Sequence, residues 1–363
     1  MNTFGKTIGL TIFGESHGLS IGAVLDGLPS GEAIDWDAVR AEMARRAPGK
    51  NQMSTARSEK DAFEVQSGFF NGYTTGTPLC AIIRNSDQHS RDYDQLRHLM
   101  RPGHADYSGK IRYGGFNDYR GGGHFSGRLT APLVFAGAVA SQILARHGIT
   151  VGSHILRLAG IADKPFNAVG ETVETLQALK KETLPVLDKA QAGPMEAKIL
   201  AAKNDLDSVG GVIECMITGL PAGIGDPFFD SVESQLSHMM FSVPAVKGIE
   251  FGDGFALADL RGSQANDDFY YDGDVVKTRT NHNGGINGGI TNGMPIIFRL
   301  VVKPTASISQ KQETIDTDTK ENCDLVIKGR HDPCIVQRAI PVIEAAAAWA
   351  ILDVCLSEKG RCW

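Results

Sequence analysis

The sequence predicts an α+β fold: a single large domain, residues 1–363, with sheets packed on buried helices. Three observations lead there. Strand-length apolar runs and helix-period segments interleave, but without the regular strand-helix repeat of a doubly wound sheet. One helical segment, Pro132 to Leu144, is apolar or small on nearly every face, as a helix covered on all sides must be. No Pro/Ser-rich linker, low-complexity tract or charge run divides the chain, and the most polar stretch, Glu171 to Asp207, reads as helices.

In order along the chain, Ile8–Ile12 and Ile21–Leu25 are strand-like, and the FGESHG hexamer between them, residues 13 to 18, reads as a tight turn. Asp35 is placed to cap a first helix with Trp36, Val39 and Met43 on one face; Pro48-Gly49 stops it after Arg45 and Arg46. Pro132 belongs in the first turn of the buried helix. An amphipathic helix spans about Met195 to Asp205, and Asp226-Pro227 opens another that runs to about Met240. Val212–Ile217, Gly248–Phe251 and Ile296–Val302 are strand-like. Pro341 opens a final Ala-rich helix that ends before Gly360.

Composition excludes several classes of function. The N-terminus has no long apolar stretch of a secretory signal, and no uncharged apolar run of some 18 residues is evident, so neither secretion nor membrane spanning is expected. Six cysteines, at 80, 215, 323, 334, 355 and 362, lack metal-ligand spacing and suggest reduced cytoplasm. A net charge of −6 argues against a nucleic-acid binder. One segment reverses that sign: Arg84 to Arg128 holds eight Lys or Arg against five Asp, with His89, His98, His104 and His124. A local basic segment suits a small anionic ligand, or is a solvated basic face.

Glycine is abundant, 42 residues, and clustered at 114–115, 121–127, 284–293 and around Asp253. Such clusters let backbone N–H groups approach a ligand. No GxGxxG with a following acidic residue and no GxxxxGK[ST] occurs, so the nucleotide fingerprints are missing. Several motifs place chemistry beside turns. RPGHAD, 101 to 106, sets Arg101, His104 and Asp106 around Pro-Gly, where a guanidinium clamps an anion and an imidazole delivers a proton. RGGGHFSGR, 120 to 128, runs into the buried helix and offers an anion cradle with Arg128 adding charge. NHNGGINGGITNG, 281 to 293, offers backbone access or merely stacked turns. KPTAS, 303 to 307, ends a strand with a cation and two hydroxyls. GRHDP, 329 to 333, holds Arg330, His331 and Asp332, an acid-base set or a simple turn. His17, in the first hexamer, is either a solvated turn residue or a group aimed into a cleft.

Taken in order, FGESHG, RPGHAD, DYRGGG, DSVGG, VKGIEFGDGF, RGSQ, GGITNG, KPTAS and GRHDP resemble the chorismate synthase family over nearly the whole chain. The resemblance implies a homotetramer whose subunits have a β-α-β sandwich core and bind reduced FMN. It implies loss of phosphate and a ring hydrogen from 5-enolpyruvylshikimate 3-phosphate, with no net redox change. His17 would protonate or stabilise the reduced flavin, His104 would act as acid beside the departing phosphate, and Asp332 would assist proton removal. Arg46, Arg101, Arg128 and Arg330 would hold the substrate's phosphate and carboxylates. Flavin contacts would come from His124, Phe125, Ser126, Pro244, Ala245, Gly288, Lys303, Pro304, Thr305, Ala306, Ser307 and Arg330. Many family members carry Arg-Ser-Ser where this chain has His124, Phe125 and Ser126, an arginine at Gln52 and an asparagine at Pro244. NADP belongs to the family's wider chemistry; the chain either reduces its own flavin or relies on a separate flavin reductase, and with no extra domain read for that step the separate source is expected. A non-catalytic flavin- or anion-binding protein would tolerate loss of His17, His104 or Asp332, and all three are present. A net flavin oxidoreductase would need the missing dinucleotide site.

Overall fold

A computed structural model describes residues 1–49, 53–54, 60–86, 97–327 and 331–357. Two five-stranded antiparallel sheets form its outer layers. The first orders its strands Thr3–Phe4, Gly9–Gly14, Ser20–Asp26, Leu79–Arg84 and Phe63–Ser67. The second orders them Val246–Phe251, Ile296–Val302, Gly211–Thr218, Thr150–Leu158 and Ile161–Ala162.

The helices in chain order are α1 (Trp36–Arg46), α2 (Asp106–Arg112), α3 (Thr130–Arg146), α4 (Val173–Leu179), α5 (Ala192–Asn204), α6 (Val232–Met240), α7 (Gly262–Ala265) and α8 (Val336–Ser357). α3 lies against the first sheet, α8 against the second, and the two helices pack on each other to make the middle of the sandwich. Their closest approach needs a glycine. A Cβ on Gly137 would overlap the backbone and side chain of Ala345. One continuous apolar core runs from Ile8 through Phe135 and Trp349 to Leu356, which is why both helices are apolar all round. By length and composition α3 with its entry turn, Gly127–Arg146, and α8 could each cross a membrane; 83% and 94% of their apolar windows are instead buried within the protein.

Local chemistry explains most boundaries. Asp35 Oδ1 accepts from the Asp37 and Ala38 N–H groups and so starts α1. The helix anticipated from Asp226-Pro227 begins later: Phe228 takes a φ of +62°, and Ser231 Oγ, accepting from Ser234 N at 3.0 Å, caps α6 instead. Pro341 does not open the last helix either. α8 starts five residues earlier at Val336 and encloses the proline, because Val336 and Ile340 are core residues whose burial offsets the missing N–H bond. Leu79–Arg84 and Thr150–Leu158 are strands that carry no motif, although Leu79, Ala81 and Ile83 alternate inward with period two.

Candidate active site

Several segments gather around the glycine tract that precedes α3. The first is the turn at the end of the first strand pair, where Gly14 pairs with Ile21 and Gly18 N donates to Glu15 O at 3.0 Å. Ser16 N donates to Gly123 O at 3.1 Å, and His124 Nδ1 donates to Gly14 O at 2.8 Å, so turn and tract are stitched together. His17 is buried, with the Cε1–Nδ1 edge of its ring against Gly121. Gly121, Gly122 and Gly123 have φ of 60°, 86° and 53°, a run that side-chain-bearing residues rarely sustain. A Cβ on Gly121 would collide with His17, so this glycine is required for its close approach as well as for its backbone angle.

The second segment is the Pro102-Gly103 turn leading into α2. Arg101 is buried and forks onto Asp106, Nε to Oδ2 at 2.7 Å and one terminal nitrogen to Oδ1 at 2.8 Å. Its guanidinium reaches toward Gly122. The third is the strand end Lys303–Ser307. Lys303 Nζ donates to Gly103 O at 2.7 Å, Ser307 Oγ lies 2.7 Å from His104 Nε2, and Lys303 N donates to Ala245 O at 2.9 Å. Thr305 Oγ1 is buried with no hydrogen-bond partner among the described residues. Burial, then the Arg101 cation, pushes the His104 imidazole down to about 4, with Lys303 and His331 acting in the same direction and Asp106 opposing. His104 is therefore neutral near pH 7. His331 is shifted down by its own burial and by Arg101, and its Nε2 is buried without a partner among the described residues.

The remaining segments, around Arg46, Asp61, Arg128 and Asp332 with Arg338, form an ion network. Asp61, its side chain fully sealed, accepts from Arg46 at 2.7 Å and from Arg128. Arg46 also donates to Thr130 Oγ1 at 3.1 Å and Gly127 O at 2.9 Å, while Arg128 donates to Asn85 Oδ1 at 3.0 Å. Asp332 pairs with Arg338, whose Nε donates to Arg46 O at 3.2 Å. Burial would raise the Asp61 carboxyl, but the two guanidiniums outweigh it and hold it below the usual range.

The expected residues are thus gathered in part. His17, Arg101, His104, His124, Lys303 and Ser307 meet around the tract and the 101–104 turn; Arg46, Arg128 and Asp332 meet in the ion network. Three of the expected anion-binding arginines, Arg46, Arg101 and Arg128, already hold internal carboxylates, a pairing that no motif along the chain signals. Phe125 packs its ring on Gly109 of α2, and Ser126 Oγ accepts from Arg128 N at 3.3 Å. Gly288 lies in the turn of a small hairpin, Ile286–Asn287 with Ile290–Thr291, whose Gly289 packs against Ser231 at the start of α6. Arg330 lies outside the described residues, as does Gln52. A cavity of about 380 Å³ opens between α2 and the tract, lined by Asp106, Lys110, Asp118, Tyr119, Gly122 and Phe125 among others. Its volume is of small-molecule size, yet His17, His104 and Asp332 do not line it.

Asp61, Asn85, Arg338 and the His104–Ser307 contact carried no motif signal of their own. Arg338 stands one turn beyond the GRHDP segment on α8 and could have been suspected from that spacing; Asp61 is recognisable only once two buried guanidiniums are seen to need a counter-charge.

Comparisons with known proteins agree along the chain. The family model for chorismate synthase matches residues 8–356. Chorismate synthase of Dehalococcoides mccartyi is 45% identical over 355 residues, covering 98% of this chain and 96% of that protein. That of Methanocella arvoryzae is 43% identical over 357 residues, covering 98% and 94%. A crystal structure of a chorismate synthase superposes with a TM-score of 0.77 at 28% identity, covering 99% of this chain and 95% of the other. The sandwich, the glycine tract and the arginine-histidine segments around it are those of a chain that belongs to the chorismate synthase family.

Proposed function

We propose that this protein, acting as one domain per subunit, converts 5-enolpyruvylshikimate 3-phosphate to chorismate, the closing step of the shikimate route to aromatic amino acids. The reaction breaks the C–O bond to phosphate and a C–H bond across the ring, releasing inorganic phosphate and a proton in a 1,4-elimination. The observation that carries this reading, beside family membership, is the buried ion network. Among the described residues, three guanidiniums, Arg46, Arg128 and Arg338, face two carboxylates, Asp61 and Asp332, one positive charge in excess. A net positive, water-poor site favours an anionic substrate and the phosphate charge that develops as the bond breaks.

The roles of the side chains follow from their settings. His104, neutral when the site is empty of substrate, would gain a proton as a phosphate dianion arrives beside it, and would return that proton to the leaving group. His17, seated on Gly121, would serve the reduced flavin, and Asp332 would assist removal of the ring proton. Arg101 and Arg330 would join Arg46 and Arg128 in holding the substrate. Reduced FMN, when bound, supplies transient electron density that eases phosphate loss, with no net oxidation. Two residues of the 303–307 strand end fit that group: Lys303 offers a cation, and Thr305 Oγ1 is buried with no hydrogen-bond partner among the described residues, while the Ser307 hydroxyl is already engaged with His104. Ala245 lies beside Lys303, while Phe125 can offer ring packing only. Gly288, set apart near α6, would serve a flavin in a homotetramer. A separate flavin reductase would supply the reduced cofactor. Free thiols at Cys80, Cys215, Cys323, Cys334 and Cys355 support work in the cytoplasm.

The test is an anaerobic assay with 5-enolpyruvylshikimate 3-phosphate and chemically reduced FMN. Chorismate should form without net flavin oxidation. Product formed with oxidised FMN alone, or no product with the reduced form, overturns the proposal.

A further inference from the structure

We propose that Ser307 is the positioning residue for His104: its hydroxyl holds the imidazole through Nε2, so that Nδ1 is the ring atom turned to the leaving phosphate. This rests on the reading of His104 as the leaving-group acid.

The geometry is specific. The 303–307 strand end grips the 101–104 turn at two points, Lys303 Nζ on Gly103 O and Ser307 Oγ on His104 Nε2, both 2.7 Å. Between them Ala306 sits so close to Gly103 that a Cβ there would lie 3.0 Å from its own. Ser307 is itself only 6% exposed, which limits the rotamers its hydroxyl can take. His104 Nδ1 makes no hydrogen bond with the described residues, and His104 is half-buried rather than sealed in the interior. One ring nitrogen is therefore anchored and the other is open.

A hydroxyl suits this anchor better than other groups would. It accepts from Nε2–H when the ring is protonated or in that tautomer, and donates to Nε2 when Nδ1 carries the only hydrogen. The ring therefore stays in place through a complete proton cycle. A carboxylate here would lock in the imidazolium, and a backbone N–H would lock in the neutral ring. The charged and titratable groups around His104 are Arg101, Lys303 and His331, which disfavour its proton, and Asp106, which favours it. Against three such opponents, an acceptor for Nε2–H is what steadies the protonated form while the phosphate is present.

The experiment compares wild type, Ser307→Ala, Ser307→Cys and Ser307→Thr as holoenzymes. Steady-state turnover is followed from pH 5.5 to 9, flavin affinity by titration, and proton uptake by calorimetry as substrate binds the enzyme carrying oxidised FMN, which does not turn over. Ser307→Ala should lower kcat about tenfold or more, a fraction of what a general acid contributes. Its alkaline limb should move about one pH unit lower, as loss of one hydrogen bond to the charged ring implies. It should also take up fewer protons on substrate binding at pH 7. Flavin affinity should stay within about threefold, against the tenfold that one lost charge-assisted bond represents. Ser307→Thr should restore all three quantities. Ser307→Cys, nearly equal in volume, should show the same losses should the alanine variant fail to fold. An unchanged pH limb and proton uptake in Ser307→Ala and Ser307→Cys overturns the positioning role. So does a loss confined to flavin affinity, with kcat recovered at saturating flavin. No chorismate from wild type with reduced flavin overturns the functional reading itself, and the two failures are distinct.

Discussion

Asp61→Asn removes one charge from the ion network and little else. The replacement has the same shape, and asparagine tolerates the left-handed backbone, φ +49°, that Asp61 adopts. In the wild type the carboxylate faces two guanidiniums whose side chains are 5% and 3% exposed, while its own is fully buried. At about 4 Å between charge centres and an effective dielectric of about 20, each pair is worth about 4 kcal/mol in gross attraction. Relief of the carboxylate's desolvation and the hydrogen bonds an amide still accepts offset part of that sum. The net cost of breaking a buried ion pair by removing one partner is about 3–5 kcal/mol. Urea unfolding followed by tryptophan fluorescence at pH 7 should show a loss of that size. The pH dependence provides a second check. A carboxyl held below its ordinary value contributes stability that is present above the unfolded-state pKa and is lost as pH falls through the lower folded-state value. Wild type should therefore lose this increment only under acid conditions, where the two proteins should converge. A difference below about 1 kcal/mol at pH 7 would refute the argument, since that is the size of an exposed ion pair.

Gly121→Ala should lower turnover at least about tenfold, by displacing His17 and straining a φ of +60°, as measured by the anaerobic assay; wild-type turnover would mean that His17 does not need this seat. Gly137→Val should destabilise by about 3 kcal/mol or more by forcing α3 from α8, measured as a fall in the urea midpoint. His154 lies fully buried, its ring nitrogens 3.1 Å from Asp163 and 2.9 Å from Glu214; burial opposes its proton, but the two carboxylates prevail and raise its pKa. Its stabilising contribution is complete below about pH 6.5, the unfolded value, and fades as pH rises through the higher folded value. Unfolding curves across that range should show the decline in wild type and a flatter profile in His154→Gln.

What could be read without coordinates was whatever depends on neighbours in the chain. The strand pair around FGESHG, the Asp35 cap, the apolar α3 and the amphipathic α5 were legible because alternation, capping and helical period are local signals. Where two local signals competed, context decided. Asp226-Pro227 and Pro341 are both helix-start marks, but Ser231 supplies a hydroxyl cap in one case and core packing extends the helix past its proline in the other. The motifs marked His17, Arg101, His104 and the glycine tract for the same reason: each combines a reactive group with a turn that exposes it.

By itself, then, the sequence determined the fold class, the family and the segments that carry the chemistry, since these rest on period, turn residues and motif order. Only the tertiary structure decided that Arg46 and Arg128 share Asp61, that Asp332 answers Arg338, and that Ser307 anchors His104. Charge balance and hydrogen bonding act through space between residues up to 203 positions apart, and no pattern along the chain records which buried cation will find which anion.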